Sequence, residues 1–129
     1  MTETRDEGRK LLFVLFSNDA CRLAHALLYA IDLDGKGHAV RIIVEGEATR
    51  SLGSLPGQDS RHARLLREAL ARGLVVGACR TASGGCATGD VDRQVTDAVR
   101  AEGIALLDDL DGHAGIARFI AEGYELVVF

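Results

Sequence analysis

The sequence predicts a three-layer α/β/α sandwich around a five-stranded parallel sheet, and three observations carry that prediction. Short, unbroken apolar runs alternate with longer stretches whose apolar residues recur every three or four positions, the pattern of buried parallel strands and their crossover helices. Turn formers such as "DGKG" stop the helical runs, and right-handed crossovers then cover both faces of the sheet with helices. A chain of 129 residues, 47% hydrophobic and 26% charged, suits one domain with one core.

The run "KLLFVLF" (10–16) is too short for a free-standing helix and leads into "SND", residues that favour helix caps, so it reads as a strand followed by a helix start. From Ala20 to Leu33 the residues Leu23, Ala24, Leu27, Leu28 and Ile31 make one apolar face. "HAVRIIV" (38–44) is short and β-branched, hence the second strand. The connection "EGEATRSLGSLPGQD" holds the only proline and is long for a compact domain, which predicts a functional loop or a short helix within it. A helix over Ser60–Arg72 follows, with Ala63, Leu66, Ala69 and Leu70 on one face and Gly73 as its C-terminal cap. "LVVGAC" (74–79) is the third strand and "GIALL" (103–107) the fourth, with a helix over 90–101 between them that buries Val91, Val95, Ala98 and Val99. A helix over 112–122, carrying Ile116, Phe119 and Ile120, precedes the last strand, "YELVVF" (124–129). Residues 1–129 are expected to form a single domain, with 1–9 a flexible N-terminal tail. No repeat and no low-complexity segment interrupts it.

Composition narrows the function classes. A formal net charge of −4 and 5% aromatics offer neither the basic footprint nor the stacking platforms of a nucleic-acid binder. No apolar run approaches the roughly 18–20 residues of a membrane span, and "MTETRDEGRK" is too charged for a signal peptide. The expected location is the cytoplasm, where thiols stay reduced. No P-loop, no G-x-G-x-x-G after the first strand and no G-x-S-x-G elbow occurs, so neither a nucleotide cofactor nor a serine hydrolase is expected. Four scattered histidines give no metal signature. No cofactor and no metal is predicted.

In parallel α/β sheets ligands bind beyond the carboxyl ends of the strands. Ser17, Asn18 and Asp19, the 45–58 loop, Cys79 and "DDLDGH" all fall there, so Ser17, Asn18 and Asp19 are expected to line a crevice. Cys79 has two readings: a thiol activated as thiolate by Arg80 and a nearby helix N-terminus, or a small hydrophobe closing a buried strand. Cys86, in a glycine-rich loop, either resolves a bond to Cys79 or has no role, since C-x6-C matches no common redox or zinc spacing. His113 either faces the same crevice or serves as a helix-cap or surface histidine. Cys21 is expected in the core, and Asp108, Asp109 and Asp111 in structural roles.

The segments "LLFVLFSND", "GHAVRIIVEGE", "GLVVGACRTAS" and above all "GIALLDDLDGHAGIARFIAEGYELVVF" resemble the DsrE/DsrF-like, or YchN-like, family of small sulfur-relay proteins, over nearly the whole chain. That resemblance implies a cysteine after the third strand that carries persulfide sulfur, here Cys79, together with sulfur-donor and sulfur-acceptor protein partners. It also implies a homo-oligomer, with trimers and hexamers favoured. Relatives sharing the "GH…EGY" ending carry a second cysteine three residues after the first, where this chain has Ala82; Cys86 is the nearest other thiol. The expected function is therefore sulfur carriage on Cys79, assisted by Arg80, His113 and Cys86. The alternative is a non-catalytic module that binds a small ligand or a protein, with Cys79 only packed.

Overall fold

A computed structural model describes residues 8–55, 57, 59–85 and 95–129. In chain order the elements are β1 (Lys10–Leu15), α1 (Ala20–Gly35), β2 (Ala39–Val44), a 3-10 turn (Gly46–Thr49), α2 (Arg50–Gly53), α3 (Arg61–Ala71) and β3 (Val75–Cys79). Then come α4 (Arg80–Ser83), α5 (Thr96–Ala101), β4 (Leu106–Leu107), α6 (Ala117–Ala121) and β5 (Glu125–Val128). The five strands form one sheet in the order β4-β3-β2-β1-β5, and every pairing within it is parallel. The expected fold class is thus the observed one.

The strand order explains the layers. From β1 to β4 the chain steps across the sheet in one direction, so right-handed crossovers put the intervening helices on one face. Leu11, Phe13 and Leu15 of β1 meet Leu23, Ala26 and Leu27 of α1, Ala63 and Leu66 of α3 and Val99 of α5 there. The chain must then return from β4 to β5 at the far edge, and this reversed step carries α6 to the other face. That second layer is thinner, with Leu12, Val14, Ile43, Cys79, Ala82, Ala114 and Phe119 as its buried members among the described residues.

Caps fix the longer helices. Asp19 accepts a hydrogen bond from the Arg22 amide at the start of α1 (2.9 Å), and Ser60 accepts from the Ala63 amide at the start of α3 (3.2 Å). The long connection after β2 contains the 3-10 turn and α2, as its length predicts. Of the expected helix over 90–101 the structure shows α5 from Thr96, with Val95 as its non-helical N-cap; residues 90–94 lie outside the described residues.

The expected helix over 112–122 is shorter than the spacing predicted and starts at Ala117. An antiparallel bridge between Leu110 and His113, with Asp111 and Gly112 at positive φ, holds the preceding residues in a tight turn that cannot propagate a helix. At the other end of the chain, Arg9 is anchored. Its amide donates to Nδ1 of His38 (2.9 Å) and its guanidinium pairs with Glu125.

Candidate functional site

A one-residue irregularity in the sheet aims Cys79. The β2–β3 register pairs Ile42 with Val75 but Ile43 with Gly77 and Val44 with Ala78, leaving Val76 as an extra residue on β3. Side chains alternate along a strand, so an inserted residue moves everything after it to the opposite face. Val76 packs in the second, thinner layer, yet so does Cys79 three residues later. Continuing the register sets Cys79 beside Glu45, the first residue after β2. Without the bulge the two side chains would lie on opposite faces.

The return crossover supplies the third member. Leaving β4, which pairs through Leu107 with Cys79, the chain crosses the carboxyl end of β3 in the 108–116 segment. Two anchors pin this turn. The Gly112 carbonyl accepts hydrogen bonds from both the amide (3.1 Å) and the hydroxyl (2.5 Å) of Thr81, the second residue of α4. The Asp109 carboxylate accepts one from the Gly115 amide (3.0 Å), which holds its pKa below the usual carboxylate range. Gly112 has a φ of +87°, and a Cβ there would stand 2.9 Å from Thr81 Oγ1, so the turn requires glycine.

His113, held in that turn, places Nδ1 3.4 Å from the Cys79 sulfur. The Ala82 amide donates to the same sulfur from the other side at 3.4 Å. One donor atom from each of Glu45, Cys79 and His113 falls within 4.8 Å of the others. Cys79 is completely buried, while Glu45 and His113 are half-buried. Burial pushes the Cys79 thiol above its ordinary value, and the neighbouring Glu45 carboxylate adds to that; the amides of Ala82 and Ala114 oppose it. The resting site is therefore a neutral thiol beside an imidazole and a carboxylate.

Beside it runs an apolar groove of about 290 Å³ whose walls include Phe16, Glu45, Leu110, Ala114, Leu126 and Val128. Ile43 and Ala114 face the groove and pack in the same buried layer as Cys79. Phe16, Leu110, Leu126 and Val128 are all exposed.

The remaining expected residues are distributed differently. Arg80 is turned outward to Asp108 (3.2 Å), away from the thiol it was expected to ionise. Ser17 and Asp19 line a separate, open cavity with Phe16, Arg22 and Phe129, at the carboxyl ends of β1 and β5. Asn18 lies between them in the chain without a wall position in that cavity. Cys86 lies outside the described residues. Cys21, expected in the core, is exposed, with its sulfur 3.7 Å from Nδ1 of His25 one helical turn on; the buried stripe of α1 runs through Leu23, Ala24, Ala26, Leu27 and Ala30 instead. Asp108 and Asp109 have the structural roles expected of them, as ion-pair partner and turn anchor. Glu45 was missed by sequence reasoning; the signal available was its position, first after a strand at the ligand-binding end.

Comparison with known proteins returned one informative similarity. A stretch of 42 residues is 39% identical to an uncharacterized protein of Archaeoglobus fulgidus, covering 33% of this chain and 69% of that protein. No family model matches the chain, and no solved structure matches it. Among the described residues no helix is long and apolar enough to cross a membrane.

Proposed function

This chain belongs to one family with the uncharacterized Archaeoglobus fulgidus protein, and we propose that it is a sulfur carrier in which Cys79 accepts sulfane sulfur as a persulfide and passes it to a partner thiol. The observation that carries this reading is the 3.4 Å contact between the Cys79 sulfur and His113 Nδ1 at the carboxyl end of the sheet. Its sequence resemblance to the DsrE/DsrF-like proteins supports the same cysteine. His113 takes the thiol proton as base, and the Cys79 sulfur attacks the terminal sulfur of a donor persulfide. The donor's sulfur–sulfur bond breaks, its thiolate leaves with the electron pair, and His113 returns the proton to it. One thiol and one persulfide enter and one of each leaves, so no oxidant or reductant is consumed.

Donor and acceptor are proteins presenting a thiol, and the apolar groove beside Glu45 is the approach that suits them. The exposed apolar residues on and around edge strand β5, Leu126 and Val128 among them, fit burial against other copies of the chain. The reading accordingly takes the working form as a homo-oligomer, trimer or hexamer, in the reducing cytoplasm.

A second reading has its own observation. Cys79 is 0% exposed, as expected of a packed cysteine in a non-catalytic module that binds a ligand or protein in the groove. Incubation with polysulfide or a cysteine desulfurase, followed by cyanolysis and intact-mass measurement, separates them. A carrier gains one sulfur atom, loses it to cyanide, and fails to load as Cys79→Ser while loading as Cys21→Ser. Equal loading of the Cys79→Ser variant and the parent leaves the binding module as the function.

A further inference from the structure

We infer that Glu45, Cys79 and His113 form a three-ligand site for a zinc-class divalent cation, with the remaining coordination position left to a water or a small ligand. The three side chains supply one oxygen, one sulfur and one nitrogen, and these donor atoms gather within 4.8 Å of one another. Tetrahedral zinc, with bonds of about 2.0–2.3 Å, needs its donor atoms roughly 3.5 Å apart. The 3.4 Å between the Cys79 sulfur and His113 Nδ1 already meets that requirement; the half-buried Glu45, whose Oε1 accepts the Gly46 amide at 2.8 Å, lies within 4.8 Å of both and has to draw closer on binding.

Charge and ligand chemistry favour the same class of ion. A thiolate, a carboxylate and a neutral imidazole carry two negative charges, which one divalent cation cancels, so the complex is neutral where the sulfur is fully desolvated. Binding replaces the Cys79 thiol proton, as it must at any thiolate ligand. Sulfur and imidazole ligation disfavours magnesium and calcium and suits zinc or cobalt. The scaffold is fixed as well: Glu45 directly follows β2 and Cys79 ends the paired β3, His113 sits in a turn pinned through Gly112, and the Ala82 amide orients the sulfur.

The cation site stands on this geometry independently of the sulfur reading, but the two share one sulfur atom, so a bound cation excludes persulfide from Cys79. Titration of the reduced full-length protein with cobalt(II) tests the inference. The expected result is one cobalt per chain, a thiolate-to-cobalt charge-transfer band in the near ultraviolet, displacement by zinc, and release of a proton. Cys79→Ser should abolish the band, Cys21→Ser should keep it, and Glu45→Gln and His113→Ala should each weaken binding by at least about tenfold. Absence of the band in the parent, its persistence in Cys79→Ser, or unchanged affinity in both Glu45→Gln and His113→Ala overturns the site. Glu45→Gln is nearly isosteric, so together with His113→Ala it keeps the test decisive even if Cys79→Ser folds poorly. The two readings fail separately. Sulfur loading without cobalt binding removes only the cation site, and cobalt binding without sulfur loading removes only the carrier.

Discussion

The Cys79 sulfur and His113 Nδ1 lie 3.4 Å apart although 34 residues separate them in the chain. Neither local sequence creates that contact. Cys79 reaches the thin layer because Val76 is an extra residue in the β2–β3 register, and His113 reaches it because the return from β4 to β5 must cross the end of β3. The pair thus depends on a bulge and a crossover, both properties of the sheet as a whole.

The first expected consequence concerns thiol reactivity. Only the thiolate is nucleophilic, and each unit by which a thiol's pKa rises cuts its ionised fraction near neutrality about tenfold. Cys79 is raised and buried, whereas Cys21 is exposed. Iodoacetamide pulses at pH 7 read by peptide mass spectrometry should label Cys21 at least about ten times faster than Cys79. Faster labelling of Cys79 below neutrality would restore the thiolate first expected from the neighbouring Arg80.

The same shift links Cys79 to stability. Its folded-state pKa lies above the unfolded value, so the native chain holds this proton more tightly than the unfolded chain does. The associated stability is fully present below the unfolded value of about 8.5 and is lost as pH climbs through the folded value. Urea midpoints of the parent should therefore fall between neutral and alkaline pH more steeply than those of Cys79→Ala. Parallel profiles for the two proteins would show that the Cys79 proton is not linked to folding.

The sheet and its order of elements were legible in the sequence because each buried strand is a short apolar run and each long helix has a periodic stripe. Ser60 and Gly73 even marked the ends of α3, as a cap accepting the Ala63 amide and as a residue with φ of +74°. What periodicity could not reach was any feature set by register. A count of alternating residues does not locate the bulge at Val76, so it could not tell that Glu45 and Cys79 share a face. The start of α6 was misplaced because Ile116, Phe119 and Ile120 keep helical spacing whether or not the preceding residues are helical. The turn is fixed by partners remote in the chain, such as Thr81. Cys21 is exposed because the buried stripe of α1 centres on Leu23, Ala26, Leu27 and Ala30, which leaves Leu28 and Ile31 only half-buried at its margin and turns Cys21 to solvent.

Gly77 tests the packing behind Cys79. A Cβ at this position would stand 2.5 Å from the Ala105 carbonyl oxygen and 2.8 Å from Leu107 Cγ, on the strand that pairs with Cys79. Both obstacles belong to the β3–β4 contact, and one of them is backbone. Gly77→Ala should cost roughly 1–3 kcal/mol, the usual range for overpacking, and should expose Cys79 to alkylation by parting β4 from β3. A denaturation midpoint equal to that of the parent would mean that the strands separate freely enough to admit a methyl group.

Asp109 tests whether the turn positions His113. Its carboxylate accepts the Gly115 amide at 3.0 Å and thereby closes the loop that contains the Leu110–His113 bridge. The Gly115 amide is the leading cause of its depressed pKa. The contribution to stability is therefore present above the ordinary carboxyl value of about 3.9 and is lost as pH falls through the folded value. Asp109→Ala removes the acceptor at every pH without touching Cys79 or His113. We expect the variant to fold, with the ring resonances of His113 displaced at constant pH and sulfur loading of Cys79 reduced several-fold, while Cys21 labelling stays at the parent rate. Asp109→Asn keeps an oxygen acceptor and should restore most of the loading, which a purely electrostatic role for the carboxylate would not allow. If Asp109→Ala changes neither the His113 ring resonances nor the Cys79 chemistry, the Thr81–Gly112 hydrogen bonds alone hold the turn, and the positioning of His113 rests on them.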